Sequence, residues 1–196
     1  MADLGPRGTE VMNVGALKTR LAQKRDTFVQ EWLACTLRTY PTNTSHFLRQ
    51  ERDPFRNPVG HTLREGLSRL VDELLGEFDP ARVMAALDGI VRMRAVQDFS
   101  PSGAVEFVVL GKAAARTALA GGHGPEGDEL AALDAQIDQV AGLASALYAT
   151  CCEQIAAIRT REARRRIYLL ERMRERRTRE ETGRLGEAAR SSGSAS

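Results

Sequence analysis

The chain has 196 residues, 42% of them apolar and only 5% aromatic, with 28 Lys and Arg against 26 Asp and Glu. That suffices for one core-forming domain plus an appendage, and scarce aromatics beside abundant Leu and Ala favour packed helices over a β-sandwich or barrel. The net charge of +2 excludes a polyanion binder throughout, but it hides a split: residues 159–184 hold 11 Arg and 5 Glu, so the rest of the chain is at −4.

Only Lys18, Lys24 and Lys112 among the basic residues are lysines, so the arginine bias is partly compositional. Cys35, Cys151 and Cys152 form neither a CxxC pair nor an even set at scaffold spacing, which argues against a zinc site or a disulfide framework and fits a reducing cytoplasm. There is no signal-peptide core and no run of about 18 apolar residues, so the expectation is a cytoplasmic protein without a transmembrane segment.

In chain order, residues 1–13 carry Gly5, Pro6 and Gly8 without a clear period and read as a loose leader. From Val14, the residues Leu17, Leu21, Phe28, Trp32 and Cys35 mark one face of a helix ending near Tyr40-Pro41. Thr42 to Ser45 is turn-like, with a short helical piece over 46–52. Asn57 is an N-cap with Pro58 at the first helical position, and Phe47 and Phe55 are expected to pack across that turn. Val59, Leu63, Leu67, Leu70, Val71, Leu74 and Leu75 continue the helix to a Gly76 stop. Asp79-Pro80 and Ser100-Pro101 repeat the opening device for two more helices, and Gly121 to Pro125 is the strongest break. Beyond it, Leu130, Leu133, Ile137, Val140, Ala144, Leu147 and Cys151 step by three and four, predicting one helix from about 128 to about 182. Glu162→Arg166, Glu175→Arg179 and Glu180→Arg184 are favourably spaced to lace its solvated end. The organisation expected is a leader over 1–13, a helical domain over 14–158, an Arg-rich helical extension over 159–185, and a disordered tail over 186–196.

Two segments carry a resemblance. Asp53-Pro-Phe-Arg-Asn-Pro-Val-Gly60 leads into an amphipathic helix, and Ile90-Val-Arg-Met-Arg-Ala-Val-Gln-Asp-Phe-Ser-Pro-Ser-Gly-Ala-Val105 spans a helix-to-helix corner. Over about residues 14–158 the chain resembles the N-terminal domain of RsbR/RsbRD-type RsbT co-antagonist proteins, the sensory part of stressosome-like regulators. The resemblance implies an all-α, globin-like bundle without haem, with a long C-terminal helix, commonly dimeric, passing a signal through its last helix to a STAS or kinase module. This chain departs from the full-length regulators in two respects. Nothing past Arg159 reads as the strands of a STAS module, and Gly103 stands where the family commonly carries a long polar residue.

The candidate signal- or partner-binding corner is Arg92, Arg94, Gln97, Asp98, Ser100 and Ser102, together with Asn57. The competing reading is a buried structural network in which Arg94 or Arg92 pairs with Asp98 or Asp53 while Ser100 caps the next helix. Phe99 is expected in the core. His46, His61 and His123 lack a second ligand at helical spacing, so no metal or haem is assigned. Cys151 and Cys152 point about 100° apart on one helix, so they do not bond to each other; Cys152 is the candidate redox residue. No nucleophile–base set, phosphate loop or HExxH is present, so the chain reads as a non-enzyme without a cofactor. Arg164, Arg165, Arg166, Arg176 and Arg177 are candidate tail contacts. They sit on a solvated helix, on a partner-docking helix with Ile167, Leu169, Leu170 and Met173, or on a nucleic-acid or anionic-membrane surface. The function expected is regulation in bacterial stress or redox-energy signalling, through homodimerisation and contact with an unidentified regulatory or respiratory protein. The alternative is nucleic-acid binding by the Arg-rich helix.

Overall fold

In the computed structural model, which describes residues 8–120 and 127–193, all regular structure is α-helical. The helices are α1 (Gly8–Gln23), α2 (Arg25–Leu37), α3 (Thr42–Gln50), α4 (Pro58–Leu75), α5 (Pro80–Val96), α6 (Pro101–Leu119) and α7 (Gly127–Gly193). Two compact units result, Met1–Cys152 and Glu153–Ser196, with α7 contributing to both.

Three of the helices open on the same local device. Asn57 Oδ1 accepts from Gly60 N at 2.8 Å, Asp79 Oδ1 from Ala81 N at 2.9 Å, and Ser100 Oγ from Gly103 N at 3.2 Å. In each a proline follows at the first helical position, where its missing N–H costs nothing. Each cap satisfies an otherwise orphaned donor and is worth about 1 kcal/mol. Gly76 ends α4, its N–H donating to Asp72 O at 2.9 Å.

The first unit is organised by α2 against α6, α4 against α5, and α2 against α4. Its core holds Leu17 and Leu21, Phe28 and Trp32, Leu63, Leu67 and Leu70, Leu87 and Ile90, Phe107, and from α7 Ile137, Val140 and Ala144. Two glycines set the close crossings. A Cβ on Gly66 would lie 2.7 Å from Ile90 Cδ1 and 2.9 Å from Ala86 O, and one on Gly111 would lie 2.7 Å from Trp32 Cζ2. Trp32 Nε1 also donates to Phe107 O at 2.6 Å, so the indole is held to α6 at its polar edge as well as its apolar one. Lys112–Asp138 at 2.6 Å and Arg116–Asp134 at 2.5 Å tie α6 to α7.

The structure departs from the sequence-based expectations in several places. The helix expected over 14–40 is two helices, broken at Lys24 (φ −113°, ψ 24°), and α1 already begins at Gly8, inside the expected leader. The break falls in the seven-residue step from Leu21 to Phe28, where two full turns keep the apolar face in phase and periodicity cannot detect a kink. α3 starts at Thr42, not 46, and ends at Gln50. Pro41 precedes the first turn, where small polar residues are tolerated because its N–H groups lack intrahelical partners anyway. Phe55 is 96% exposed and Phe47 50%, so they do not pack together in the core. α7 runs through Gly183 and Gly186 to Gly193, past the expected disordered boundary at 186. A helical glycine costs only about 1 kcal/mol. One 18-residue window of α7 reaches a mean hydropathy of 1.2, long and apolar enough to cross a membrane by that test alone. Of that window, 22% is buried inside the molecule. The expected break at Gly121–Pro125 and the ends of the chain, 1–7 and 194–196, lie outside the described residues.

Candidate functional site at the corner between α5 and α6

The corner is made by a sharp reversal. α5 ends at Val96, Gln97 caps it, and Asp98 adopts φ 55°, the positive-φ residue among the described non-glycines. Asp tolerates this left-handed conformation better than most residues, at a cost of order 1 kcal/mol. Phe99 N donates back to Arg94 O at 3.2 Å, and Pro101 holds Ser100 extended (φ −63°, ψ 156°) so that its hydroxyl can cap α6.

Behind this turn lies Arg94, wholly buried. Nη1 donates to Gly103 O at 2.8 Å and Nη2 to Thr39 Oγ1 at 2.9 Å, while Nε has no hydrogen-bond partner. The guanidinium carbon is 4.8 Å from the ring centroid of Phe99, 5.0 Å from that of Phe107 and 5.2 Å from that of Tyr40. Tyr40 and Phe99 meet edge to face at 5.4 Å. Arg94 is thus a buried cation in an aromatic cage, stabilised by ring quadrupoles and two charge-assisted hydrogen bonds. Burial pulls its pKa down, opposed by Tyr40 and then Glu106. Burial pushes Tyr40 up, opposed by the Arg94 charge.

The expected carboxylate pairing of Arg94 is not what forms: its partners are a carbonyl and a hydroxyl, which spares the fold the desolvation of a second ion. Arg92 is exposed and pairs with Asp88 at 2.7 Å. Gln97, Asp98, Ser100 and Ser102 are exposed and form the rim, with Ser100 Oγ and Ser102 Oγ 3.3 Å apart and Tyr40 Oη 3.5 Å from Gln97 Oε1. Gly103 takes part through its carbonyl rather than a side chain. Phe99 is half-buried.

Asn57 belongs to a different junction. Its Nδ2 donates to Glu51 O at 2.7 Å and Leu48 O at 3.0 Å while Oδ1 caps α4, so the buried amide sews α3, the following loop and α4 together. Around it, Phe55 N donates to Asp53 Oδ1 and Asn57 N to Asp53 O.

Sequence reasoning missed Thr39, Tyr40, Phe107 and Tyr148. The signal for Tyr40 was weak, being only its place before Pro41. Tyr148 is the more consequential omission. Its hydroxyl donates to Phe99 O at 2.5 Å, tying α7 to the corner from a position beside the stripe residue Leu147. Cys152, half-buried one turn further on, raises the Tyr148 pKa through a side-chain hydrogen bond, with burial adding to it. Cys151 is buried, and burial pushes its thiol up, which suits an unreactive core residue.

Among the described residues, no three His, Cys, Asp or Glu side chains come together to hold a metal ion. His46 lies 3.2 Å from Gln50 and His61 3.5 Å from Glu65; His123 is outside the described residues. In the second unit Arg164, Arg165, Arg166, Arg176 and Arg177 are all exposed. Among the described residues neither Glu162–Arg166 nor Glu175–Arg179 closes into an ion pair, contrary to expectation. The small Coulomb gain in water does not repay the rotamer entropy of two long side chains.

The family model described as the RsbT co-antagonist protein rsbRD N-terminal domain matches residues 26–165. No curated protein and no solved structure gives a significant match. The match covers most of the chain, which therefore belongs to this family of stress-signalling regulatory domains.

Proposed function

We propose that this member of the RsbT co-antagonist N-terminal family is a non-catalytic cytoplasmic regulator that acts as a homodimer through protein–protein contact. The observation that carries the proposal is the family match over residues 26–165, which includes the whole α5–α6 corner and α7 beyond Tyr148. The corner suits a sensing role because it joins two kinds of surface. A fixed interior, Arg94 in its cage, backs a polar rim of Gln97, Asp98, Ser100 and Ser102, and Tyr148 connects that rim to α7. On this reading the helical domain is of the globin-like, non-haem kind, a signal or partner engages the rim, and the state is read from α7. The partner is a regulatory or respiratory protein of the same cell.

Light scattering behind size exclusion on the full chain tests the dimer: twice the chain mass supports the proposal, and a strict monomer at micromolar concentration overturns it. Cys152 is the redox candidate within this reading. A Cys152-dependent dimer band on a non-reducing gel after mild oxidation supports that role, and an unchanged band pattern removes it.

The second reading is nucleic-acid binding by the exposed arginines. It predicts binding that weakens steeply with salt, in proportion to the phosphates neutralised. No binding even at low salt eliminates it.

A further inference from the structure

Among the described residues of Glu153–Ser196, six large apolar side chains of α7 lie open, and apart from Ile158 and Tyr168 they cluster: Ile167 (56% exposed), Leu169 (48%), Leu170 (66%) and Met173 (68%). At the helical rotation of about 100° per residue they share one arc of about 160°, over about 9 Å of rise, so they form a compact patch two turns long. Arginines fence it. By the same rotation Arg166 and Arg177 close its two ends and Arg165, Arg172 and Arg176 run along one edge, all five exposed. Glu171 lies toward the opposite edge.

We infer that this patch docks an acidic amphipathic helix of a partner protein, its apolar face covering Ile167, Leu170 and Met173 and its carboxylates meeting the arginine fence. The inference deepens the regulatory proposal above by assigning the partner's chemistry. An apolar centre within a charged rim is the anatomy of a protein–protein contact, in which the centre supplies affinity and the rim chooses the partner. The rim here is cationic, so the complementary rim is anionic.

The other occupants fit less well. A second copy of the same segment would set a net charge of +6 (11 Arg less 5 Glu over 159–184) against another +6, and like-charge juxtaposition disfavours it. A bilayer surface calls for an apolar face running the length of the helix with cations kept opposite, whereas Arg166 and Arg177 interrupt this arc at both ends. A duplex would engage the arginines and leave the four apolar side chains in water.

The test uses the full-length chain and a fluorescent designed helix with a leucine patch rimmed by glutamates, titrated by anisotropy at physiological salt. The comparison arms are a shuffled peptide of the same composition, vesicles rich in phosphatidylglycerol, and duplex DNA. The expected result is binding of the patterned helix at least about tenfold tighter than the shuffled one, a difference of about 1.4 kcal/mol. Leu170→Ser/Met173→Ser should abolish that preference. Arg172→Glu/Arg176→Glu should transfer it to a lysine-rimmed version of the helix. Equal binding of the shuffled peptide, tighter binding to vesicles or DNA, or indifference to both double variants would overturn the inference. Circular dichroism of the variants checks that α7 is retained. Light scattering on the same samples reads the dimer separately, so a failed tail inference and a failed regulatory proposal give different results.

Discussion

Arg94 and Asn57 show how a single polar side chain can organise a helical junction once it is buried. Arg94→Ala would strand Gly103 O and Thr39 Oγ1 and leave an aromatic-walled void, so a loss of about 3 kcal/mol is expected from urea unfolding. Arg94→Met keeps most of the volume and removes a desolvated ion, so it should cost less than half as much. If the two cost the same, the hydrogen bonds matter more than the packing. Asn57→Ala should cost about 2 kcal/mol, the sum of a cap and buried carbonyls left unpaired. Asn57→Asp keeps the cap acceptor and loses the donors, so it should be no more stable than Asn57→Ala; rescue by Asp would show that only the cap counts. Phe55→Ser, by contrast, should shift stability by less than about 0.5 kcal/mol, because the ring is 96% exposed.

Between elements, the glycines separate close approach from mere flexibility. Gly66→Ala places a methyl against both Ile90 Cδ1 and the Ala86 carbonyl; the side chain can turn aside and the backbone cannot. A loss of about 2 kcal/mol is expected, only partly recovered by adding Ile90→Val. Gly142→Ala has the opposite sign. Nothing lies within 4 Å of its Cβ, so the better helix former should stabilise α7 by up to about 1 kcal/mol in a thermal melt. Tyr148, its pKa raised by its contact with Cys152 and by burial, carries a pH signature. Tyr148, Tyr40 and Cys151 have folded pKa values raised above their ordinary values of 10.0, 10.0 and 9.0. Their preference for the neutral form is therefore fully present below about pH 9 and lost as pH rises through the folded values. Stability should fall on the alkaline side, and Tyr148→Phe should make that fall shallower while costing about 1 kcal/mol at neutral pH for the lost hydrogen bond. An alkaline limb as steep in Tyr148→Phe as in the parent chain would remove Tyr148 from this account.

At the scale of the whole chain, one helix serves two units under different rules. From Leu133 to Cys151 the stripe of α7 is buried; Ile158 is already 55% exposed. The apolar period thus continues past Cys152, where the first unit ends, and the sequence expectation of a boundary near 158 followed the period rather than the core. The helix class, the three cap-and-proline starts, the Gly76 stop and the family were legible because each depends on neighbouring residues or a contiguous motif. Caps, stops and periodicity act over one or two turns, so the chain declares them locally. What the tertiary structure alone decided lies between residues far apart in the chain. Arg94 found Thr39 and Tyr40 in the turn after α2 rather than a nearby Asp, Tyr148 found Phe99, and the helix broke at Lys24 within an in-phase step. The energy of a buried cation, or of a helix crossing over glycine, depends on what faces it, and in this chain those partners come from separate helices.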